Sequence, residues 1–289
     1  MTDPPSKRAR LRAGVIGDPV AHSLSPAMQQ PALDALGVAA TYQLWPTTSA
    51  ELPARIAGLR APDILGANVT VPHKLAVMPL LDEVSPLARR AGAVNTIVRR
   101  GDRLVGENTD IAGFATALRE VCADAGSRRA LILGAGGAAR AVVLVLESLG
   151  VTRIAVANRT RDRLDRLAAD LAPTPLSAVA YDDIALREAL HTATLLINAT
   201  AAGWHRGETP LSPALLDALP GEALVVDLTY RDTDLLVAAR QRGLATLDGL
   251  PMLVHQGARA LELWTGQEAP VPLMLEAARA ARDARVTNG

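Results

Sequence analysis

A glycine-rich turn near the middle of the chain constrains its fold more than any other feature. Residues 129–150 read RALILGAGGAARAVVLVLESLG, in which an apolar run is followed by glycines and then by a helical pattern. The motif G-x-G-x-x-G/A, placed between a strand and a helix, lets the backbone approach a pyrophosphate that lies at the helix N-terminus. The sequence therefore predicts a Rossmann-type, dinucleotide-binding domain whose turn consists of Gly134, Ala135, Gly136, Gly137 and Ala138.

The end of the following strand indicates which dinucleotide binds. In the stretch AVANRT, Asn158 stands 22 positions after Gly136, near the roughly 20 positions expected for the residue that contacts the ribose. An acidic residue there would repel the 2′-phosphate of NADP. The residues present are instead neutral or cationic donors, which suit a phosphate dianion: Asn158, Arg159, Thr160 and Arg163. We therefore predict NADP as the cofactor; the alternative is that Thr160 caps a helix with solvated arginines.

Composition excludes several classes of protein. Of the 289 residues, 49% are hydrophobic, enough to bury the cores of two ordinary domains. The 30 Lys and Arg residues balance the 30 Asp and Glu residues, so the chain lacks the basic field that attracts nucleic acids and anionic membranes. Charged residues interrupt the apolar segments before they reach membrane-spanning length. We therefore expect no nucleic-acid partner and no membrane partner.

Cysteine and histidine usage predicts a reducing compartment and no metal site. Cys122 is the single cysteine, which excludes a disulfide framework and a cysteine-based metal site, and we expect it to pack in the interior. The five histidines form no H-E-x-x-H or similar spacing, so no metal is predicted. The N-terminal MTDPPSKRARLR is polar and basic, and we expect no secretory signal. Together these observations predict a cytoplasmic protein.

Short apolar runs alternate with helical patterns along almost the whole chain, which is typical of βαβ units and parallel sheets. In the first part the predicted strands are RAGVIG, TYQLWP and ILGANVT, and VNTIVRRGDRLVGEN predicts a hairpin around Gly101-Asp102. After the helix IAGFATALREVCADAG the predicted strands are RALILGAGG, RIAVANRT, LLINAT and ALVVDLTY. PMLVHQGARALELWTG and VPLMLEAARAARDARV predict two closing helices. We predict an α/β fold of two domains with a seam near residues 110–125.

Polar residues follow several predicted strands of the first domain, at the edge where open α/β sheets bind ligands. GDPVAHSLSP places Ser23 and Ser25 just before a helix, where they can hold a carboxylate or simply cap the helix. Considered singly, Lys74 would more often be a surface lysine, and Asp110 would more often be the N-cap of the helix that follows. The other polar residues at such strand ends are Asn68, Thr70 and Asn95.

These segments together resemble the shikimate dehydrogenase family. The matching stretches are GDPVAHSLSP, GANVTVPHK, AGAVNT, GENTD, GAGGAARA, ANRT, INAT, DLTY and DGLPMLVHQGARALELWTG, which occur in family order from about residue 14 to residue 266. The resemblance implies a substrate domain at residues 1–115, completed by C-terminal helices at 250–289, and an NADP-binding domain at 116–249. It also implies the reversible, NADP-dependent reduction of 3-dehydroshikimate to shikimate, a step toward chorismate and the aromatic amino acids.

The resemblance further implies roles for individual residues. Lys74 and Asp110 would be the catalytic pair, and Ser23 and Ser25 would bind the substrate carboxylate. The ring hydroxyls and the reacting oxygen would be held by Asn68, Thr70, Asn95, Tyr230 and Gln256. Besides the glycine turn and the Asn158 segment, the cofactor would be lined by Thr200, Leu228 and Gly249.

The chemistry explains why a lysine and a carboxylate are needed. Hydride transfer to a ring carbonyl builds negative charge on its oxygen, so an acid must deliver a proton there. Lys74, oriented by Asp110, fits this need. A neighbouring carboxylate raises the pKa of a lysine whereas burial lowers it, and the sequence does not decide which effect is larger. Asp110 as the proton carrier therefore stays open.

Two other functions agree with parts of the sequence. The nearer one is a quinate/shikimate dehydrogenase with a broader substrate range or NAD use, in which an acidic residue near position 158 and Thr in place of Ser25 would be expected. The other is a non-catalytic NADP-sensing module, which should lack Lys74 or Asp110. Since Asn158, Ser25, Lys74 and Asp110 are all present, we predict an enzyme that prefers shikimate and NADP. The oligomeric state is left open, a homodimer being one alternative.

Overall fold

The computed structural model describes residues 10–205 and 207–287, and the chain divides into two compact units. Unit 1 comprises Met1–Arg89, Ala93–Asn108 and Gly257–Gly289, and unit 2 comprises Arg90–Gly92 and Thr109–Gln256. Residues 1–9, most of the stretch for which we expect no secretory signal, lie outside the described residues.

Unit 1 contains a mixed six-stranded sheet. Its strands are β1 (Leu11–Gly17), β2 (Ala40–Pro46), β3 (Ile64–Val69), β4 (Glu83–Val84), β5 (Thr96–Arg100) and β6 (Arg103–Glu107). In the order β2-β1-β3-β5-β6-β4, the pairs formed by β1 with β2 and β3 are parallel, whereas β5 is antiparallel to both of its neighbours. The helices between these strands are α1 (Ser25–Ala35), α2 (Leu52–Gly58) and α3 (Pro86–Ala91).

The strands of unit 1 form where the sequence is apolar and β-branched. The last five residues of β1 are all buried, as expected for a parallel strand covered on both faces. Ile16, Val69 and Ile97, from three neighbouring strands, belong to one apolar core. The turn between β5 and β6 contains Gly101 with a φ of 68°, a left-handed conformation that glycine adopts without steric cost. The predicted hairpin is confirmed.

Unit 2 contains a second six-stranded sheet, in which every neighbouring pair is parallel. Its strands are β7 (Arg129–Leu133), β8 (Arg153–Ala157), β9 (Leu176–Val179), β10 (Leu195–Asn198), β11 (Leu224–Asp227) and β12 (Ala245–Leu247). The order β9-β8-β7-β10-β11-β12 is the 3-2-1-4-5-6 order of a Rossmann fold. It reverses between β7 and β10, so ligands are expected beyond the C-terminal ends of these strands. The predicted fold class is confirmed.

The helices of unit 2 follow the predicted pattern. They are α4 (Thr109–Val121), α5 (Gly137–Ser148), α6 (Arg161–Asp170), α7 (Asp183–Thr192) and α8 (Asp234–Gln241). Cys122, which directly follows α4, is buried, and burial raises the pKa of its thiol. The packing role expected for this cysteine is therefore confirmed. β9 and β12, by contrast, were not identified from the sequence.

Two long helices end the described chain, as predicted. They are α9 (Leu250–Thr265) and α10 (Val271–Thr287). The division between the units falls inside α9, after Gln256. In unit 1, α10 packs on α1. Across the described ranges, no helix is both long enough and apolar enough to span a bilayer.

Candidate functional site

A chain of hydrogen-bonded polar side chains is buried in unit 1. Asn68, near the end of β3, accepts a hydrogen bond of 2.7 Å from the Tyr42 hydroxyl and donates one of 3.2 Å to Thr96 Oγ1. The Thr96 hydroxyl donates in turn to Asn95 Oδ1 at 3.2 Å. None of these four residues is more than 6% exposed. Because the antiparallel register places Asn68 opposite Thr96, pairing within the sheet holds this network in place.

Ser23 and Ser25 extend the network at the start of α1. The Ser23 hydroxyl donates to Ser25 Oγ at 3.0 Å and accepts from the Ser25 backbone N–H at 3.1 Å. Ser25 also hydrogen-bonds Tyr42; burial raises the pKa of that phenol, and the bond to Ser25 opposes the rise. Leu24 occupies the N-cap position of α1 and makes no side-chain capping bond itself. The Ser23 hydroxyl thus bonds an N–H of the first turn of α1, as the capping alternative expects, and both serines also belong to the buried network.

The segment that follows β3 carries Thr70 and Lys74. The Thr70 N–H donates to a carbonyl of β1 at 2.8 Å, and the Lys74 carbonyl accepts from the Val94 N–H at 2.8 Å. Between them, His73 is 1% exposed, with Nε2 at 2.6 Å from the Thr47 carbonyl oxygen. Lys74 is partly exposed, and it is one of two lysines among 30 basic residues. Nearly all basic residues of the chain are arginines, which keep their proton. Lys74 instead provides, on a segment fixed by backbone bonds, an amine that can exchange its proton.

The glycine turn of unit 2 has the form of a phosphate cradle. Gly134 has a φ of 106°, and a Cβ there would meet Thr200 Cγ2 at 3.0 Å and the Ala199 carbonyl oxygen at 3.1 Å. Gly136 is the N-cap of α5, which no described side chain caps. A Cβ on Gly136 or Gly137 would have no neighbour within 4 Å in the described structure. Close packing therefore requires the first glycine, while the next two leave the helix N-terminus open, and these residues fit the pyrophosphate of NADP.

The end of β8 borders a cavity of about 330 Å³. Asn158 Nδ2 donates to the Thr160 carbonyl at 2.8 Å, and the guanidinium carbon of Arg159 lies 6.0 Å from the centre of the Tyr181 ring. Thr160 occupies the N-cap position of α6, but its hydroxyl makes no capping bond. Arg163 is exposed in the first turn of the same helix. Neutral and cationic donors thus lie at this strand end, as a 2′-phosphate requires.

A second buried network joins the ends of β10 and β11. Asp227 is fully buried and accepts hydrogen bonds of 2.8 and 2.9 Å from two threonine hydroxyls and one of 3.1 Å from Asn198 Nδ2. Asn198 Oδ1 accepts from the Thr200 hydroxyl at 2.7 Å. A Cβ on Gly249 would lie only 2.1 Å from the Leu228 carbonyl oxygen. Three predicted cofactor residues, Thr200, Leu228 and Gly249, thus lie on closely packed loops. The buried side chains that fix these loops, Asn198 and Asp227, were missed from the sequence.

The remaining predicted residues lie on α4, on α9 and in the loop after β11. Asp110 is the second residue of α4. Gly113 allows α4 to approach α9, since a Cβ there would lie 2.7 Å from Gln256 Cβ. Tyr230 packs edge-to-face against Trp204, with the ring centres 5.1 Å apart. These residues belong to unit 2, whereas Lys74 belongs to unit 1.

The structure therefore gathers part of the predicted site and adds to it. Four predicted residues share the network of unit 1: Ser23, Ser25, Asn68 and Asn95. The residues that connect them, Tyr42 and Thr96, were missed; the one signal for Tyr42 is its buried place in the alternating pattern of β2. Over residues 10–205 and 207–287, no group of three or more His, Cys, Asp or Glu side chains is arranged to hold a metal ion.

Family models match most of the chain. The model described as "Shikimate dehydrogenase substrate binding domain" matches residues 15–97, "Shikimate / quinate 5-dehydrogenase" matches 116–248, and "Shikimate 5'-dehydrogenase C-terminal domain" matches 249–279. The first match contains the buried network of unit 1, and the second contains the glycine turn and the Asn158 segment.

Individual relatives agree with the family models. The chain is 49% identical over 276 residues, 93% of each chain, to the shikimate dehydrogenase (NADP(+)) of Symbiobacterium thermophilum. It resembles the crystal structure of shikimate 5-dehydrogenase from Thermus thermophilus in complex with NADP(H) and shikimate, with a TM-score of 0.84, 43% identity and coverage of 94% of this chain and 99% of that one. Quinate dehydrogenase from Corynebacterium glutamicum in complex with NAD gives a TM-score of 0.84 at 33% identity, with coverage of 93% and 99%. By its motifs, its two sheets and these relatives, the chain belongs to the shikimate dehydrogenase family.

Proposed function

We propose that this protein is an NADP-dependent shikimate dehydrogenase, an oxidoreductase that acts on a ring CH–OH group and reversibly reduces 3-dehydroshikimate to shikimate, on the route to chorismate and the aromatic amino acids. The observation that carries the proposal is the buried network of hydroxyls and amides in unit 1. Such groups both donate and accept hydrogen bonds, so they complement a small polyhydroxylated acid. The relatives named shikimate dehydrogenase (NADP(+)) support the same activity.

The substrate would be held by residues from several strand ends. Ser23 and Ser25, whose hydroxyls lie 3.0 Å apart, bind the carboxylate by donating to it in place of their mutual bond. The ring hydroxyls and the reacting oxygen are bound by Asn68, Thr70, Asn95, Tyr230 and Gln256. A site that hydrogen-bonds hydroxyl groups rejects analogues that lack them, because its buried partners would be left unpaired.

The cofactor would be held by backbone and charge. When bound, NADP supplies or accepts the hydride. The turn at Gly134–Ala138 and the N-terminus of α5 hold the pyrophosphate, and the segment Asn158–Arg163 binds the 2′-phosphate. Thr200, Leu228 and Gly249 line the remaining edge.

Proton transfer would be the work of Lys74 and Asp110. Lys74 donates a proton to the reacting oxygen during reduction and removes one during oxidation, and Asp110 orients it. The backbone bonds that fix Thr70 and Lys74 support this assignment, since an acid must stay within reach of the oxygen. Asp110 as the carrier, with Lys74 as the stabilising cation, is the alternative within the same proposal.

A quinate dehydrogenase that uses NAD is the second candidate, and the likeness to the Corynebacterium glutamicum enzyme favours it. The absence of an acidic residue at Asn158 argues for NADP instead. A non-catalytic module is disfavoured by the presence of both Lys74 and Asp110. The balanced charge and the single, unpaired cysteine fit the cytoplasmic location and the lack of a nucleic-acid partner that we expect. A homodimer is the assembly to test by light scattering.

One assay tests the proposal. Purified protein is supplied with shikimate or quinate, each with NADP or NAD, and reduced nicotinamide is followed by absorbance. We expect kcat/KM to be highest for shikimate with NADP. Higher kcat/KM for quinate with NAD would favour the second candidate, and no turnover with any pair would overturn the proposal of an enzyme.

A further inference from the structure

Arg159 lies near the aromatic ring of Tyr181, a residue outside both the glycine turn and the Asn158 segment. Arg159 follows β8 and Tyr181 follows β9, its neighbour in the sheet. The guanidinium carbon lies 6.0 Å from the centre of the Tyr181 ring, within the range of a cation–π contact. A guanidinium that stacks on a ring keeps its in-plane N–H groups available to donate to an anion.

The Tyr181 ring is itself held in position. It is half-buried and packs against the apolar cluster formed by β7, β10 and α7. Its hydroxyl donates to the Pro210 carbonyl. Burial raises the pKa of Tyr181, while Arg159 opposes the rise, so the hydroxyl keeps its proton at neutral pH. A ring fixed in this way limits the directions that the long Arg159 side chain can take.

The other charges of the cavity are already engaged. Arg161 pairs with Asp165 at 2.9 Å. Asp182 turns its Oδ1 to the Ile184 and Ala185 N–H groups, at 3.1 and 2.9 Å, and so caps α7. Arg159, by contrast, has no carboxylate partner among the described residues. Of the two arginines that line the cavity, Arg159 is therefore the one without a carboxylate partner in the described part of the chain.

We infer that Tyr181 is a specificity-determining positioning residue, which holds Arg159 over its ring so that the guanidinium donates to the 2′-phosphate of NADP. The inference rests on the proposed function. Tyr181 lies 23 positions after Asn158 in sequence, and the pairing of β8 with β9 brings it near the AVANRT segment. A preorganised guanidinium loses less conformational freedom on binding, so the ring contributes to affinity without touching the ligand.

The test uses 2′,5′-ADP and 5′-AMP as probes, because only the first carries a 2′-phosphate. Dissociation constants are measured by calorimetry for wild type, Tyr181→Leu and Tyr181→Phe. Tyr181→Leu should weaken 2′,5′-ADP by roughly 3- to 30-fold, as expected for loss of a cation–π contact, and leave 5′-AMP within about twofold. Tyr181→Phe keeps the ring and should change 2′,5′-ADP by less than about threefold.

A double-mutant cycle shows whether Tyr181 acts through Arg159. In an Arg159→Ala background, Tyr181→Leu should change the affinity for 2′,5′-ADP by less than about twofold, because the positioned group is gone. An equal loss in both backgrounds, an equal loss for both probes, or no loss at all would each overturn the inference. Wild type that fails to reduce NADP with shikimate would instead contradict the proposed function, so the two failures are distinguishable.

Discussion

The two candidate binding regions are both suited to a small anionic molecule, but they differ in burial and in the groups that they offer. The region of unit 1 consists of side chains that are nearly all buried and already hydrogen-bonded to one another, from Ser25 through Tyr42 and Asn68 to Asn95. The region of unit 2 consists of an open glycine turn and of exposed or partly exposed donors at the end of β8. Buried partners give selectivity because an unmatched polar group is costly. Exposed charges give attraction, which salt and solvent weaken.

The largest effect should come from Lys74, the partly exposed amine on the segment that follows β3. Lys74→Ala should lower kcat by roughly 10²–10⁴, the usual contribution of a positioned acid or base. NADP binding, measured by calorimetry, should be nearly unchanged, because the residues proposed to hold the cofactor lie in unit 2. Retention of more than about half of the wild-type kcat would remove Lys74 from the catalytic pair.

The next effect concerns the exposed region. If Arg159 binds the 2′-phosphate as proposed, Arg159→Ala removes at least one charge-assisted hydrogen bond, about 1.5–3 kcal/mol, so NADP should bind roughly 10- to 150-fold more weakly. The KM for NAD should barely change, since NAD has no 2′-phosphate, and Asn158→Asp should lower the preference for NADP further. The readout is the ratio of kcat/KM for NADP over NAD. If Arg159→Ala leaves that ratio as in wild type, the arginines at this strand end are solvated surface residues.

A smaller effect is expected at the serines. A hydroxyl that donates to a charged group contributes about 1.5–3 kcal/mol, so Ser23→Ala or Ser25→Ala should raise the KM for shikimate on the order of tenfold or more. The KM for NADP serves as the internal control and should stay constant. Wild-type KM values in both variants would show that the bond between the serines is purely structural.

The smallest effect on catalysis is expected when one tyrosine hydroxyl is removed from each region. This change should still lower the free energy of unfolding measurably. Tyr42→Phe leaves the buried Asn68 Oδ1 without its 2.7 Å donor and should lower the free energy of unfolding by about 1–3 kcal/mol. Tyr181→Phe is the matched variant, because its hydroxyl is only half-buried, and its loss should be smaller. Urea titration of both variants measures the difference. Equal decreases in the free energy of unfolding would mean that the deeper burial of Tyr42 does not make the loss of its hydroxyl more costly.

The same contrast explains what the sequence could predict. The glycine turn and the AVANRT segment are local patterns, so their strand, turn and helix context was recognisable. Periodicity predicted the hairpin and most strands of both sheets, but not β9 and β12. Tyr42 and Thr96 could not be found in this way, because their role depends on which strands pair and in which register. Tyr181 was missed as well, because it follows β9, a short, half-exposed strand that shows no clear alternation in the sequence.

The buried carboxylate at the end of β11 shows a further limit of sequence analysis. Asp227 lies in the recognised stretch DLTY, yet nothing local distinguishes it from a surface aspartate. Two of its donors, Thr229 and Thr233, are two and six positions away, but the third, Asn198, lies 29 positions away at the end of the neighbouring strand β10. Which polar residues become the anchors of a site is therefore decided by the packing of strands that are distant in sequence.

The most direct test of separate recognition by the two regions is the double variant Ser25→Ala/Arg159→Ala. Because the two side chains share no described partner, their effects on the free energy of the transition state should add to within about 0.5 kcal/mol. The measurement is kcat/KM for shikimate and for NADP in wild type, both single variants and the double variant. We expect that Ser25→Ala lowers only kcat/KM for shikimate, that Arg159→Ala lowers only kcat/KM for NADP, and that the double variant shows both losses, each of the same size as in the corresponding single variant. A single variant that lowers kcat/KM for both ligands, or a double variant in which either loss differs from the single-variant loss by more than about 0.5 kcal/mol, would contradict separate recognition.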